Sequence, residues 1–384
     1  MTTGGGGIRA MATAAGSCDK ELVRDGGQEE SVDDAAKRRR LCPEAAAQPA
    51  EQDGDEEAAA TLTSTDAAYF EAYDELAVHA LMLGDMSRVD AYAAALRLAR
   101  DSLKGKVVLD VGAGSGILSL LAAKHAAPAM VYAVEAVPGM ARMARALVSR
   151  NGLDDTVRVF EGRIEDVELP GKVDAIVSEW MGFYLLHESM LESVLVARDR
   201  WLKPGGALLP SSARIWAALV EAEELRREIE GCAGLHGLDL SPIAEAELQR
   251  RCGQPQVELV EPARLLTSPA LVADLGCLRD MRPNATAELH AEVAFLAARS
   301  GRAAGVAFWF DVGFEEPARA EQDRRAQALQ LSTSPGAPPT HWKQTVVYLG
   351  AFVPVEAGDV LPVQLALQRS AENPRQYNIT VETA

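Results

Sequence analysis

Residues 107–135 read as strand, tight glycine turn, helix, second strand and acidic residue. Val107, Val108, Leu109 and Val111 form the short apolar run of a strand buried on both faces. Gly112, Gly114 and Gly116 let the backbone turn sharply and let a ligand come close to it. Residues 117–124 then carry helical spacing, and Val131, Tyr132, Ala133 and Val134 form the next strand, ending at Glu135. A carboxylate at the tip of the second strand in such a unit takes the two hydroxyls of a ribose. The unit is therefore built to hold a nucleoside.

The spacing narrows which nucleoside. A dinucleotide fingerprint is G-x-G-x-x-G, with a pyrophosphate resting on the helix N-terminus. Here the glycines fall as G-x-G-x-G, and Asp110 stands two residues before the first of them. An Asp beside a phosphate would be repelled, and the loop holds no Lys or Arg to offset it. The same acid suits a ligand with no phosphate and a positive charge, such as S-adenosylmethionine with its sulfonium and ammonium groups. The pattern favours that methyl donor over a nicotinamide cofactor.

The chain has 384 residues, enough for two domains. No apolar run approaches the ~20 residues of a membrane helix, and the first residues lack the apolar core of a secretory signal, so no membrane partner is expected. The five cysteines are scattered and form no C-x-x-C pair, which argues against a disulfide framework and against a metal site. Net charge is −18, of which residues 1–64 carry 13 acids against 7 bases, so the rest of the chain is acidic in its own right. Such a surface attracts basic partners and disfavours direct nucleic-acid binding.

Residues 1–64, rich in Gly, Ala and acids, cannot bury enough apolar surface to fold alone and are expected to be disordered. Within them, Lys37-Arg38-Arg39-Arg40 is a candidate nuclear-import signal. Residues 65–210 hold the nucleoside unit and its helices, with Tyr69, Phe70 and Tyr73 at helical spacing near the start. Further strands are expected at 157–160, 173–178 and 207–209, and a helix at 189–202 that stops at Pro204-Gly205-Gly206. This alternation predicts a doubly wound α/β domain with its ligand at the carboxyl ends of the strands. From Ser211 the signals become those of antiparallel strands, at 214–220, 305–310, 344–348, 360–367 and 376–381. Residues 222–253 are polar and helical with a Gly-rich centre, as in a projecting arm.

Glu179 follows the strand at 173–178 directly, on the edge that carries the glycine loop, and Glu188 stands nine residues later. Taken alone, Glu188 reads as an acid at a helix start. Beside a sulfonium donor, two carboxylates facing one pocket make a receptor for a planar guanidinium, which pairs with them bidentately. Arginine is otherwise a poor methyl acceptor, because it stays protonated with delocalised lone pairs. Two acids would bind the cation, localise its charge and aim one terminal nitrogen at the methyl.

At these residues the chain resembles the protein arginine N-methyltransferases. The matching segments are Tyr69-Phe-x-x-Tyr73, the strand and glycine loop up to Gly116, Ser178-Glu-Trp-Met-Gly182, Glu188-Ser-Met-Leu191 and Pro339-Thr-His-Trp-Lys343. The resemblance runs from about residue 66 onward. It implies a class I, Rossmann-like methyltransferase domain, then an antiparallel β-barrel at 211–384 carrying a helical dimerisation arm at about 222–253. It also implies a homodimer and arginine-bearing basic protein substrates, histones included, while the Lys37–Arg40 cluster points to the nucleus, with the cytoplasm as a second location.

Roles follow by resemblance, residue by residue. Glu179 and Glu188 would be the catalytic pair. His341, paired with Asp85, and Trp342 would border the arginine channel. Arg88 would take the donor's carboxylate, His79 would help close the site, and Glu135 would hold the ribose. Asp110, Gly112 and Gly114 would line the donor loop, with Ile164 and Glu165 flanking the adenine. Tyr69 and Tyr73 would lie on a helix folding over the donor. Met82 and Met190 would crowd the acceptor nitrogens and favour asymmetric dimethylation, as in type I members. Two features depart from the family pattern: Ala80-Leu81 after His79, where many members have acids, and Phe183 in place of the usual Tyr. Two rivals remain at this level: a small-molecule or nucleic-acid methyltransferase of the same fold, and a weakly active or inactive scaffold.

Overall fold

The computed structural model describes residues 9–13, 66, 69–71, 73, 76–232, 235–314 and 329–383. Its first unit is a parallel sheet built from β2 (Val107–Val111), β3 (Met130–Glu135), β4 (Val157–Glu161), β5 (Val173–Val177) and β6 (Leu202–Leu209). Their spatial order is β4-β3-β2-β5-β6, and every neighbouring pair is parallel. The strand order reverses beside β2, so a crevice opens at its carboxyl end. Helices α4 (Ile117–Ala126), α5 (Pro138–Arg150) and α6 (Met190–Trp201) connect the strands. Strand residues Leu109, Val111, Val131, Ala133, Ile176 and Val177 are almost wholly buried, as expected of strands covered on both faces. Ahead of the sheet come α1 (Leu76–Gly84), α2 (Met86–Leu98) and the short α3 (Arg100–Leu103).

The second unit is antiparallel. Its larger sheet has the order β8-β13-β11-β7-β9, with β12 (Gln330–Ser332) beside β11. Here β7 is Ser212–Val220, β8 Gln256–Glu258, β9 Ala270–Asp274, β11 Gly301–Gly313 and β13 Gln344–Val355. The smaller sheet runs β1-β15-β14-β10, from β1 (Arg9–Thr13), β10 (Glu288–Leu296), β14 (Val360–Arg369) and β15 (Tyr377–Thr383). The arm is a helix pair, α7 (Glu223–Cys232) and α8 (Ser241–Cys252). Two connections fix the units together near the crevice. Arg198 of α6 donates to the carbonyls of Leu278, Arg279 and Met281 at 3.1, 3.2 and 2.5 Å. Tyr92 of α2 meets Phe314 edge-on at 5.0 Å.

Three differences from the sequence reading have physical causes. β10 was not expected, because Glu, Leu, Ala and His give it a helical composition. Its burial nevertheless alternates along the strand, and packing outweighs propensity there. Pro204-Gly205-Gly206 does not follow the helix as a loop; α6 ends at Trp201 and these residues lie inside β6. β6 is the sheet's edge, where a proline without an N–H is tolerated. Within the segment expected to be disordered, Arg9–Thr13 pairs antiparallel with β15, from Arg9 opposite Glu382 to Thr13 opposite Asn378. That strand occupies an edge of β15 that would otherwise be an open ladder. Lys37-Arg38-Arg39-Arg40 lies outside the described residues.

Candidate active site

The crevice begins at the glycine loop. Gly112, Gly114 and Gly116 have φ of 71°, 54° and 83°, all in the left-handed region that only glycine enters freely. A side chain at Gly112 would also come within 2.7 Å of the Met190 methyl, which packs against the loop there. Glu135 faces the loop from the tip of β3. Its Oε2 accepts from the Gly114 amide and its Oε1 from the Val137 amide, both at 2.7 Å. Burial raises its pKa above the ordinary value against the pull of those two amides. Each carboxylate oxygen has a second lone pair for a ribose hydroxyl. His79 lies over the loop, its ring 3.3 Å from where a Gly114 side chain would start, with Nε2 2.9 Å from the Tyr73 carbonyl.

The two expected carboxylates reach the same crevice from the loop after β5. Glu179 accepts from Arg88 Nε at 3.1 Å, and both side chains are buried. Arg88 Nη1 donates to the Met82 carbonyl at 2.9 Å. Glu188 Oε2 accepts from Tyr73 at 2.9 Å and from Tyr69 at 3.3 Å. Burial, reinforced by the Glu188 charge, drives the pKa of both tyrosines well above the usual phenol range. They are therefore fixed donors to that carboxylate. The loop between the two acids is tightly wound. Tyr184, Leu185, Glu188 and Ser189 all have positive φ, and at Gly182 there is no room for a side chain against the His187 carbonyl.

A cavity of about 880 Å³, its open mouth included, gathers Tyr69, Tyr73, His79, Met82, Arg88, Gly112, Gly114, Glu135, Glu179, Glu188 and Met190. Ile164 and Glu165 line a second cavity, which shares Tyr69, Phe70, Gly112, Ala136 and Met190 with the first. The two are adjoining halves of one cleft.

Three expected site residues line neither cavity. Asp110 is fully buried beneath the loop; its Oδ2 takes the Ser119 hydroxyl at 2.6 Å and its Oδ1 has no partner. Burial pushes its pKa up to about 7, over the opposing pull of Ser119. It braces the strand–helix corner from below the loop, away from the ligand side. Trp342, expected at a channel wall, is instead packed edge-on against Phe310 at 5.3 Å, with Nε1 donating to the Met181 carbonyl at 2.8 Å. His341 sits behind the cavity, with Nδ1 2.7 Å and backbone N 2.9 Å from Asp85 Oδ2. The other oxygen of Asp85 caps α2 by accepting from the Arg88 amide at 3.0 Å. Burial pushes the Asp85 carboxyl up, but the His341 and amide hydrogen bonds outweigh it and leave the pKa below the ordinary value. One chain of contacts thus runs from His341 through Asp85 and the first turn of α2 to Arg88 and Glu179.

Phe183 is buried, its ring 5.6 Å from that of His187. Sequence reasoning missed Arg375, which lines the second cavity and bonds to both Asp66 and the Glu188 carbonyl. Its surroundings, Glu372 to Gln376, signal only a turn. Among the described residues, no three of His, Cys, Asp or Glu gather into a metal-binding group.

Comparison with known proteins places this geometry. Residues 211–384 match the model of the arginine methyltransferase oligomerization subdomain, and residues 108–206 match a methyltransferase domain. The chain is 38% identical over 347 residues to the probable protein arginine N-methyltransferase 6 of Arabidopsis thaliana, covering 83% of this chain and 79% of that one. It is 39% identical over 323 residues to protein arginine N-methyltransferase 6 of Xenopus tropicalis, covering 83% and 91%. A similar solved structure is the Trypanosoma brucei PRMT1 enzyme-prozyme heterotetrameric complex with AdoHcy, at a TM-score of 0.72 and 30% identity over 81% of this chain and 94% of that one.

Proposed function

The chain belongs to the protein arginine N-methyltransferase family, and we propose that it is a type I member, forming monomethyl and then asymmetric dimethylarginine. The reaction class is S-adenosylmethionine-dependent methylation of arginine in proteins. The observation that carries arginine methylation is the convergence of Glu179 and Glu188 on the cavity that also holds Glu135 and the glycine loop, and the finer reading leans on Met82 and Met190 in the same cavity.

The donor, when bound, supplies a methyl group made electrophilic by a sulfonium. The residues present fit it: Glu135 offers ribose acceptors beside Gly112 and Gly114, which line the cavity, and no cation of the loop awaits a phosphate. Glu135 would hold the ribose and Ile164 with Glu165 would flank the adenine. Arg88 uses two of its five N–H donors on Glu179 and Met82, and the others would meet the donor's carboxylate. Glu179 and Glu188 would take the substrate guanidinium between them, draw its charge away from one terminal nitrogen and hold that nitrogen toward the donor. Most of the acceleration would come from positioning and fixed charge. Tyr69 and Tyr73 orient Glu188, and the His341–Asp85 pair orients Arg88 and so Glu179. Met82 and Met190 line the cavity beside both acids, and their bulk supports the asymmetric product.

The reading extends to a homodimer in which the α7–α8 arm docks on a second copy's donor domain. Leu238 and Ile243 in the arm region are exposed apolar side chains that such docking would cover. Histone-like arginine-rich tails are the proposed substrates, in keeping with the acidic chain, and the nucleus is the proposed location. The test is mass spectrometry of an arginine-rich histone peptide after incubation with the protein and labelled methyl donor, with the dimethyl isomers resolved by fragmentation. Asymmetric dimethylarginine is expected. Symmetric product would overturn the type I assignment. Donor binding without methylation of any basic protein would favour the scaffold reading.

A further inference from the structure

Arg375 lies on the turn between β14 and β15, in the antiparallel unit, yet its side chain enters the cleft of the parallel unit. Its Nε and Nη2 bond to Asp66 Oδ1 at 2.9 and 2.6 Å. The guanidinium stacks on the Tyr69 ring at 3.8 Å and reaches that of Phe70 at 5.5 Å. Nη1 donates to the Glu188 carbonyl at 3.1 Å, while the Glu188 amide donates to the Arg375 carbonyl at 2.6 Å. Next to it, the Ser189 hydroxyl donates to the Pro374 carbonyl at 2.7 Å. The turn is itself fixed, since Asn373 Oδ1 accepts from the Arg375 amide at 3.0 Å.

Glu188 and Ser189 need such a hold. Their φ values of 74° and 54° lie in a region costly for residues with a Cβ. A conformation of that kind persists only where its surroundings over-determine it. Arg375 reaches Glu188 by two routes: directly through the backbone, and through Tyr69, whose hydroxyl bonds the Glu188 carboxylate. The same guanidinium carries the ion pair to Asp66. One side chain therefore joins Asp66 and Tyr69, the acceptor carboxylate and the second domain.

We propose that Arg375 is the positioning residue that holds Tyr69 and Phe70 in the donor cleft and Glu188 in its working orientation. A planar fork suits the task, because stacking, a two-point carboxylate contact and a carbonyl contact are made at once, which a lysine cannot do. The proposal rests on the methyltransferase reading for its kinetic part, and on ligand binding alone for the rest.

The experiment compares wild type, Arg375→Ala, Arg375→Lys, Asp66→Asn and the Arg375→Ala/Asp66→Asn double variant. The readouts are the Kd of S-adenosylhomocysteine by calorimetric titration, KM for S-adenosylmethionine, kcat on an arginine-rich peptide, and thermal midpoint. Arg375→Ala is expected to raise Kd and KM about 10-fold and lower kcat by roughly 30-fold, with the thermal midpoint nearly unchanged. Arg375→Lys is expected between the two, and the double variant within about 2-fold of Arg375→Ala, because both remove one coupled contact. Unchanged Kd and KM in Arg375→Ala would overturn the proposal. So would a lowered thermal midpoint with KM intact, or fully additive losses in the double variant. A wild type that binds S-adenosylhomocysteine but transfers no methyl would defeat the functional reading, while the Kd comparison would still decide the role of Arg375.

Discussion

The two walls of the cleft are made in opposite ways. On the donor side, the partners lie near in sequence: Glu135 accepts from the Gly114 and Val137 amides, and beneath the loop Asp110 takes the Ser119 hydroxyl. On the acceptor side, each partner comes from far along the chain. Glu179 pairs with Arg88, Glu188 with Tyr69 and Tyr73, and Asp85 with His341, 256 residues away. Local contacts form with little loop-closure cost, whereas distant ones close larger loops, and of these the Asp85–His341 pair also needs the second unit in place. The donor wall is thus a property of one βαβ unit, and the acceptor wall one of the longer chain around it, tied to the second unit through His341 and Arg375.

Breaking the acceptor wall should cost turnover far more than donor affinity. The largest effect is expected for Glu188→Gln, with kcat down about 1000-fold and S-adenosylhomocysteine affinity within a few-fold of wild type. Single-turnover kinetics beside calorimetry would check this, and a collapse of donor affinity alone would erase the distinction between the walls. Next comes His341→Ala, which frees Asp85 and loosens the first turn of α2; kcat is expected to fall about 100-fold. A pH signature goes with it. The pKa of Asp85 is depressed in the folded chain, so its contribution to stability is present above the unfolded value and lost as pH falls through the folded one. Acid titrations of thermal stability should show His341→Ala losing that component.

The donor wall offers the converse tests. Asp110 has a folded pKa of about 7, raised from 3.8, so its stabilising contribution is present at low pH and declines as pH climbs between those values. Asp110→Asn has no such titration. Between pH 5 and pH 8 the stability difference should therefore move in the variant's favour by about 2 kcal/mol, read from denaturant melts. The smallest effect is expected for Glu135→Gln, which keeps the shape but weakens the ribose acceptors. A loss of about 10-fold in donor affinity with kcat at saturation preserved would sharpen the contrast with Glu188→Gln.

The same division explains what could be read in advance. The β2–α4–β3 unit, Glu135 and the glycine turn were legible, because hydrophobic period, glycine spacing and a terminal acid all lie within one short stretch. Glu179 and Glu188 were legible as a pair because they bracket one loop, and His341–Asp85 only through family resemblance. Trp342 was placed on the channel, because a tryptophan in a loop looks the same whether it lines a cavity or seals a domain junction. Its Nε1 bonds the Met181 carbonyl and its ring packs on Phe310, which ties the two units together beside the cavity. Asp110 was assigned to the ligand, since sequence does not tell which side of a strand end faces the crevice. Arg375 had no signature, as its partners Asp66 and Glu188 lie 309 and 187 residues away. β10 was hidden by a composition that favours helix.

The turn that carries Arg375 gives the active site a place in time. During synthesis the parallel unit has all its strands by Leu209 and can fold as the rest is made, since domains fold as units from the N-terminal side. Asp66, Tyr69 and Glu188 must then wait for a side chain translated 187 residues after the glutamate. The growing chain can hold a nucleoside well before it has a finished acceptor pocket. The acceptor side of the site is therefore completed only when the turn before β15 has been made.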